Sequence, residues 1–346
     1  MVAPKGGGRV RTSLLRHLAC PACGGALALI GAPPEAETVD AGALRCRTCT
    51  REYPVAGGVP RCLAGGGPDD VTARTRRRYD FTWRRFGQRE IEEGWEKDSL
   101  HYLAMIPKEL FGGPGSLGLE AGCGGGRDLL NVAGFGAEVI GIDLSAGVES
   151  AHRATKHLPD VHVVQADIHR LPFRPGIFDF AYSFGVLHHL PQPARGFESL
   201  ARLLKPGAPL VTYLYEDFGD RSAAERAGLG VVRGARRLSS RVPDRLLLAL
   251  CWMGVPVIWT AFSVPARLLR RPWPRLAGRL PFRHTLRWSV LASDLFDRFA
   301  PPVEWRYGPD EIGRLYRESG FAGVETQRYR GWVSWGFKQD GGVREA

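Results

Sequence analysis

Acidic side chains are in short supply in this chain: 36 Asp and Glu stand against 47 Lys and Arg in 346 residues, a formal net charge of +11. With a pI near 9.6, that imbalance favours an anionic partner, whether nucleic acid, a phosphorylated lipid or an acidic membrane surface, and charge alone does not choose among them. No apolar run of signal-peptide length lies between the basic start MVAPKGGGRVRT and Cys20, so no secretory leader is expected and the cytoplasm is the default compartment. Cysteines are few and odd in number. Of seven, Cys20, Cys23, Cys46 and Cys49 crowd the first fifty residues, while Cys62, Cys123 and Cys251 are scattered, which argues against a disulfide framework.

What the chain does have begins with those four clustered cysteines. CPAC and CRTC are paired CxxC knuckles separated by 22 residues, and two knuckles put four thiolates around one tetrahedral ion. Four sulfurs leave no open position for water, so the expectation is a structural zinc ion on Cys20, Cys23, Cys46 and Cys49. A thioredoxin-like redox role is disfavoured because no βαβ unit precedes Cys46. REYPVAGGVPRCL then reads as a strand, a Gly-Gly turn and a second extended piece, a module small enough to need its metal. LLRHLACPACGGAL and LRCRTCTREYPVAGGVPRCL resemble the small zinc-ribbon proteins that partner and activate tRNA and other methyltransferases. The resemblance covers about residues 13–63 and implies a ribbon that stabilises or docks on a methyltransferase domain.

A chain of this length exceeds one typical domain. The ribbon is placed at 1–63, a Gly/Pro-rich linker, AGGGPDD, at 64–70, and a second domain at 71–346. That domain opens with a helical pattern in which Tyr79, Trp83 and Phe86 share a face; the aromatics pack into the core or, on the sharper reading, cap a pocket. SLGLE, AEVIGID, VHVVQAD, FDFAYSF and PLVTYLY then alternate with helical segments, a βαβ rhythm that predicts an α/β fold with a parallel sheet covered on both faces. Ligands in such sheets bind at the carboxyl ends of the strands. Glu120, Asp143 and Asp167 close the first three, and Gly122, Gly124 and Gly126 follow Glu120 in LEAGCGGGRDLL.

A dinucleotide fingerprint, GxGxxG, fails here: counted from Gly122, the third glycine position is Arg127. Three acids at successive strand ends suit a cationic sulfonium ligand carrying an adenosine, since one carboxylate can favour the cation or its ammonium while another accepts both ribose hydroxyls. The ligand so inferred is S-adenosylmethionine. Over about residues 116–216 the chain resembles the class I methyltransferases, a Rossmann-like group that includes quinone-biosynthesis and small-molecule enzymes. The resemblance implies that Glu120, Gly122, Cys123 and Gly124 hold the amino-acid part of the cofactor, Asp143 and Leu144 the ribose and adenine, and Asp167 and Ile168 the adenine edge. Glu120 stands where an Asp is commoner. FDFAYSFGVLHHL forms the fourth strand and the start of the substrate side.

Methyl transfer is mostly positioning, with a base optional. His188 and His189 follow the fourth strand and are the candidate catalytic residues; Tyr215 and Glu216, after the fifth, are weaker ones. Asp179 is given no such role. GPDEIGRLYRESG reads as a glycine-stopped helix, and FAGVETQRYR with GWVSWGFK as a closing antiparallel pair.

Between the fifth strand and that helix, about residues 217–303 form a mostly helical insertion with fifteen arginines against six acids. Within it Leu246–Ala266 carries no charge and reaches the length of a membrane-spanning helix. Pro256 and Pro265 interrupt it, and a span would separate two halves of one domain, so a helical lid over the site is preferred. A peripheral membrane contact through 246–266 is the alternative. The expected activity is methylation of a small-molecule, sugar-containing or lipid-linked acceptor in secondary metabolism or cell-envelope biosynthesis. A tRNA or rRNA methyltransferase is the alternative that the basic charge favours, but the fourth strand ends Tyr182-Ser183-Phe184-Gly185 instead of in an Asn/Asp-Pro-Pro-Tyr motif. The ribbon also lacks stacking aromatics. A third reading, a scaffold with a surviving cofactor site and no turnover, is opposed by the intact acids and glycines.

Overall fold

Alternating apolar residues divide between two faces of a central sheet, and that division sets the architecture. The computed structural model describes residues 10–31, 38–65, 69–92, 102–278, 280, 282 and 285–340; part of the 64–70 break and most of the basic start MVAPKGGGRVRT lie outside them. The N-terminal module holds a short antiparallel pair, β1 (Val10–Arg11) with β3 (Thr38–Val39), and a meander of β2 (Leu27–Ile30), β4 (Gly42–Cys46), β5 (Glu52–Ala56) and β6 (Val59–Pro60). The β5–β6 turn is Gly57-Gly58, both at positive φ, where glycine avoids the Cβ penalty. Helix α1 (Asp70–Glu92) follows, its first amides accepted by the Asp69 carboxylate at 2.9 and 3.0 Å as an N-cap.

The main sheet takes β7 (Leu117–Ala121), β8 (Glu138–Asp143), β9 (Val161–Gln165), β10 (Phe180–Phe184), β11 (Pro209–Leu214), β12 (Phe321–Arg328) and β13 (Trp332–Lys338) in the order β12-β13-β11-β10-β7-β8-β9. The five strands from β7 to β11 are parallel; β13 runs antiparallel to β11 and β12 to β13. This is the Rossmann-like α/β sheet expected from the sequence. On one face Leu119, Ile140, Val164 and Ala181 pack with α4 (Pro193–Leu203) and α10 (Pro309–Glu318). On the other, Val139, Val163, Phe180 and Tyr182 pack with α2 (Arg127–Ala133) and α3 (Gly147–Thr155). Order reverses between β7 and β10, which creates a crevice at the carboxyl ends of the strands.

The cysteine module caps the sheet at its β9 edge. The Cys62 amide donates to the Gln165 carbonyl at 2.9 Å and the Ala19 amide to the Pro172 carbonyl at 2.8 Å, so an edge strand that would otherwise present unpaired backbone is covered. Glu138 accepts Arg16 at 2.7 Å and lies 3.1 Å from both His17 and His162. Leu14, Leu18, Leu44 and Tyr53 of the module share one apolar cluster with Val164 of β9 and with Phe173 and Phe178 of the β9–β10 connection.

The insertion after β11 is helical: α5 (Ala223–Ser239), α6 (Asp244–Ile258), α7 (Val264–Leu269), α8 (Pro274–Ala277) and α9 (Trp288–Phe299). Pro256 lies inside α6, and a π-helical stretch, Trp259–Ser263, carries the chain into α7 without a break. Pro removes one ladder donor and π geometry re-spaces the next ones. Leu247, Leu248, Cys251 and Val255 pack against Leu291, Leu295 and Phe296 of α9, with Phe86 of α1 in the same cluster. Arg78 fixes α1 to the α5–α6 turn through the carbonyls of Ser240 and Val242 at 2.8 and 2.7 Å and the Asp244 carboxylate.

Candidate active site and cysteine cluster

The crevice at the strand ends contains a cavity of about 300 Å³. Its floor is the loop after β7. Gly122 sits at φ 89°, and a Cβ there would come within 2.4 Å of Val186; Gly124 sits at φ 48°, and a Cβ there would meet Trp83 at 2.4 Å. Backbone replaces side chain on this floor, which lets Val186 and Trp83 close directly against it. The Gly122 and Cys123 amides both donate to the Ile142 carbonyl at 2.8 Å, and the Gly124 amide donates to Asp143 Oδ2 at 3.0 Å. Asp143 Oδ1 accepts the Ser145 amide at 2.7 Å, so its carboxylate is oriented from both sides with lone pairs to spare.

Glu120, Gly122, Cys123, Gly124, Asp143, Leu144, Asp167 and Ile168 all line this cavity: every cofactor residue expected from the sequence is brought together. Asp167 lies two residues beyond β9 instead of closing it, in a turn where the His169 amide donates to its Oδ1 at 2.9 Å. Burial pushes its carboxyl up, but the His169 bonds and Arg170 outweigh this and hold it below the usual range. Glu120 is different. It is 3% exposed, and burial, reinforced by the neighbouring Asp128, raises its carboxyl well above the carboxylate range; the Tyr182 hydroxyl at 3.2 Å opposes this only in part. Asp128 is engaged by Arg127 at 2.9 Å. A buried acid in this state is a receptor for a cation, since an ammonium brought alongside would restore the ionised form.

The two histidines part company. His189 lines the cavity, 5% exposed. Its Nδ1 lies 2.8 Å from the Val303 carbonyl, which can only accept; Nδ1 therefore carries the proton and Nε2 the lone pair. Burial holds the imidazole below its ordinary pKa. His188 is fully buried, stacks on Tyr215 with centroids 4.0 Å apart, and neither ring nitrogen has a partner among the described residues; it does not line the cavity. Glu216 is held by Arg221 at 2.8 and 3.1 Å and is outside it as well. Asp179, given no site role, accepts the Leu117 amide at 2.9 Å and Lys205 at 2.7 Å.

Two helices supply the remaining walls. On α1 both expectations for the aromatics are met in part: Tyr79 and Trp83 face the cavity while Phe86 packs into the α6–α9 cluster. The other helix, α9, was not anticipated and turns Ser293, Asp294 and Asp297 inward. The apolar stretch 246–266, expected as the lid, does not line the cavity: it packs behind α9, which forms the wall itself. The signal available was the Asp294/Asp297 pair, one helical turn apart in a segment otherwise dominated by arginine.

In the N-terminal module the four sulfurs lie within 4.8 Å of one another, with Cys20–Cys49 at 3.7 Å and Cys23–Cys46 at 3.5 Å. Thiolates about 2.3 Å from one tetrahedral zinc would stand roughly 3.8 Å apart, so the donor set fits that ion. The Cys49 and Thr48 amides, 3.5 and 3.4 Å from Cys46 Sγ, are the largest lowering influences on this thiol, brought down to about 6.

The chain matches the family model described as a methyltransferase domain over residues 119–212 and the model described as Trm112p-like protein over residues 11–58. It is similar to an uncharacterized protein of Synechococcus, 34% identical over 213 residues, 58% of this chain and 46% of that one. An uncharacterized 37.1 kDa protein in a transposon of Streptomyces fradiae is 40% identical over 114 residues, 32% of this chain and 33% of that one. A ubiquinone biosynthesis O-methyltransferase of Albidiferax ferrireducens is 34% identical over 93 residues, 26% of this chain and 37% of that one. The chain spans less than half the length of each of these relatives. The stretch similar to Trm112p-like proteins thus precedes the stretch similar to methyltransferase domains.

Proposed function

We propose that this protein transfers a methyl group from S-adenosylmethionine to a small-molecule acceptor. The observation that carries the reading is the convergence of Glu120 and Asp143, at the ends of β7 and β8, and Asp167, just beyond the adjacent parallel β9, around the Gly122–Gly124 floor. Glu120 receives the ammonium, Asp143 the ribose hydroxyls and Asp167 with Ile168 the adenine. S-adenosylmethionine supplies a methyl already activated as a sulfonium, so the chain's own task is to orient an acceptor in line and take its proton.

His189 is suited to the proton. Its Nε2 lone pair is fixed by the Val303 contact, and burial keeps it unprotonated at neutral pH. Tyr79, Asp294 and Asp297 place hydroxyl and carboxylate groups on the walls of the same cavity, which suits an acceptor bearing hydroxyl or amine donors. Trp83, Phe184, Val186 and Leu190 are apolar lining that limits water. One relative is named as an O-methyltransferase of ubiquinone biosynthesis, which supports a non-polymeric acceptor here; a sugar-containing or lipid-linked acceptor is the narrower version of the reading, with the cytoplasm as its setting. The four-cysteine cluster holds a structural zinc ion that keeps the edge-capping module folded.

Calorimetric titration tests the cofactor assignment. One S-adenosylmethionine should bind per chain, Asp143→Asn should weaken it by roughly tenfold or more as expected for a charge-assisted contact, and NAD should not bind. Tight binding of NAD, or none of S-adenosylmethionine, would overturn it.

A further inference from the structure

The α6–α7 helix shows two faces of the same chemistry. One packs on α9. On the other, Leu246 is 54% exposed, Leu250 44%, Met253 66% and Val257 63%, and Leu268 on α7 is 70% exposed. The first four fall at i, i+4, i+7 and i+11, one stripe along the helix, and exposed Ala249, Pro256, Thr260 and Ala261 fill the gaps between them. No charge interrupts the helix from Leu246 to Ala266, about 31 Å at helical rise. Asp244–Leu269 is, among the described residues, the one helix long and apolar enough to cross a membrane.

It does not cross here, for a reason the sheet supplies. β11 precedes the insertion and β12 and β13 follow it, yet β13 pairs with β11 along six residues, so the chain must return to the side it left. The helix is also anchored along its length by Leu247, Cys251 and Val255. An apolar stripe that cannot span is left to lie in an interface.

The charges choose the occupant. Exposed Arg245 stands at one end of the stripe, and Arg267, Arg270, Arg271 and Arg275, all exposed, at the other. A second copy packed on this stripe would bring these arginines against one another, whether the two helices ran parallel or antiparallel. A bilayer leaflet with anionic headgroups instead takes the stripe among its acyl chains and the arginines among its phosphates. We infer that the exposed face of α6–α7 is a peripheral docking surface for anionic lipid, a conclusion independent of the reaction carried out in the cavity.

The test is co-sedimentation of the full chain with phosphatidylcholine vesicles with and without phosphatidylglycerol. Binding is expected to the mixed vesicles and to weaken as salt rises. Leu250→Glu with Met253→Glu should reduce it at least about tenfold by placing two charges in the apolar layer, and Arg267→Glu with Arg271→Glu should do the same by reversing the headgroup attraction. Because every substituted side chain is exposed, an unchanged melting temperature is expected and checks the fold. No binding to the mixed vesicles, or binding that neither pair alters, overturns the inference. So does an equilibrium dimer in vesicle-free solution that Leu250→Glu with Met253→Glu dissociates, which assigns the stripe to a second copy.

Discussion

Nδ1 of His189 lies 2.8 Å from the carbonyl oxygen of Val303, 114 residues away in sequence. That contact fixes which nitrogen of the ring is free, and it ties the candidate base to the segment following α9. Substituting His189→Phe should lower kcat by roughly a hundredfold or more, the range for loss of a positioned base, with little change in cofactor affinity. The rate should rise with pH through an apparent pKa below the ordinary 6.5, since burial lowers the histidine. His188→Phe, which alters a ring outside the cavity, should leave that pH profile in place. A profile unchanged by His189→Phe contradicts the assignment.

Glu120 gives an opposite pair of effects in one variant. Burial raises its pKa in the ligand-free protein, so on folding it costs stability above the ordinary carboxylate pKa, and the cost grows with pH until the raised value is passed and stays constant beyond it. Glu120→Gln should therefore raise the melting temperature of the ligand-free protein at neutral pH while weakening S-adenosylmethionine about 10- to 100-fold. Titration in two buffers of different ionisation enthalpy should show a proton released on binding in the wild type and none from this site in the variant.

These two sites show what could be read from the chain alone. The acids and glycines were legible because each follows a short apolar run at a strand end, a local pattern that the sheet preserves. His188 and His189 were inseparable, since adjacent residues share every sequence feature; only the turn after β10 sends one into the cavity and the other onto Tyr215. The α9 wall was hidden for a related reason. Asp294 and Asp297 acquire their meaning from packing Leu291, Leu295 and Phe296 on α6, a tertiary contact with no local signature. The lid was accordingly sought in the apolar stretch itself, one layer too far out.

Removal of the metal should be felt beyond the ribbon. Metal analysis should find one zinc per chain. Cys46→Ser, or chelation, should lower the melting temperature by roughly 10 °C or more, because the site's binding energy is folding energy in so small a module. Molecules that remain folded should keep their cofactor affinity. A large loss of that affinity in folded Cys46→Ser would assign the ribbon a direct part in the site.

The junction between the two modules should be acid-sensitive. The His162 hydrogen bond holds Glu138 down to about 2, with His17 adding to it. A depressed carboxylate contributes stability that is complete above its unfolded pKa and is lost as pH falls through the folded one. Denaturation of wild type and Glu138→Gln should thus differ at neutral pH and converge near about pH 2, whereas a difference that persists there would place the contribution elsewhere.

The most direct measurement is transfer itself: the purified protein is incubated with methyl-labelled S-adenosylmethionine and, separately, with total RNA and with the organic-soluble metabolites and lipids of a cell extract. Label should enter the organic-soluble fraction, and Glu120→Gln and Asp143→Asn should each reduce it. Label confined to RNA would contradict the small-molecule reading, and label in neither fraction despite cofactor binding would leave a cofactor site without turnover.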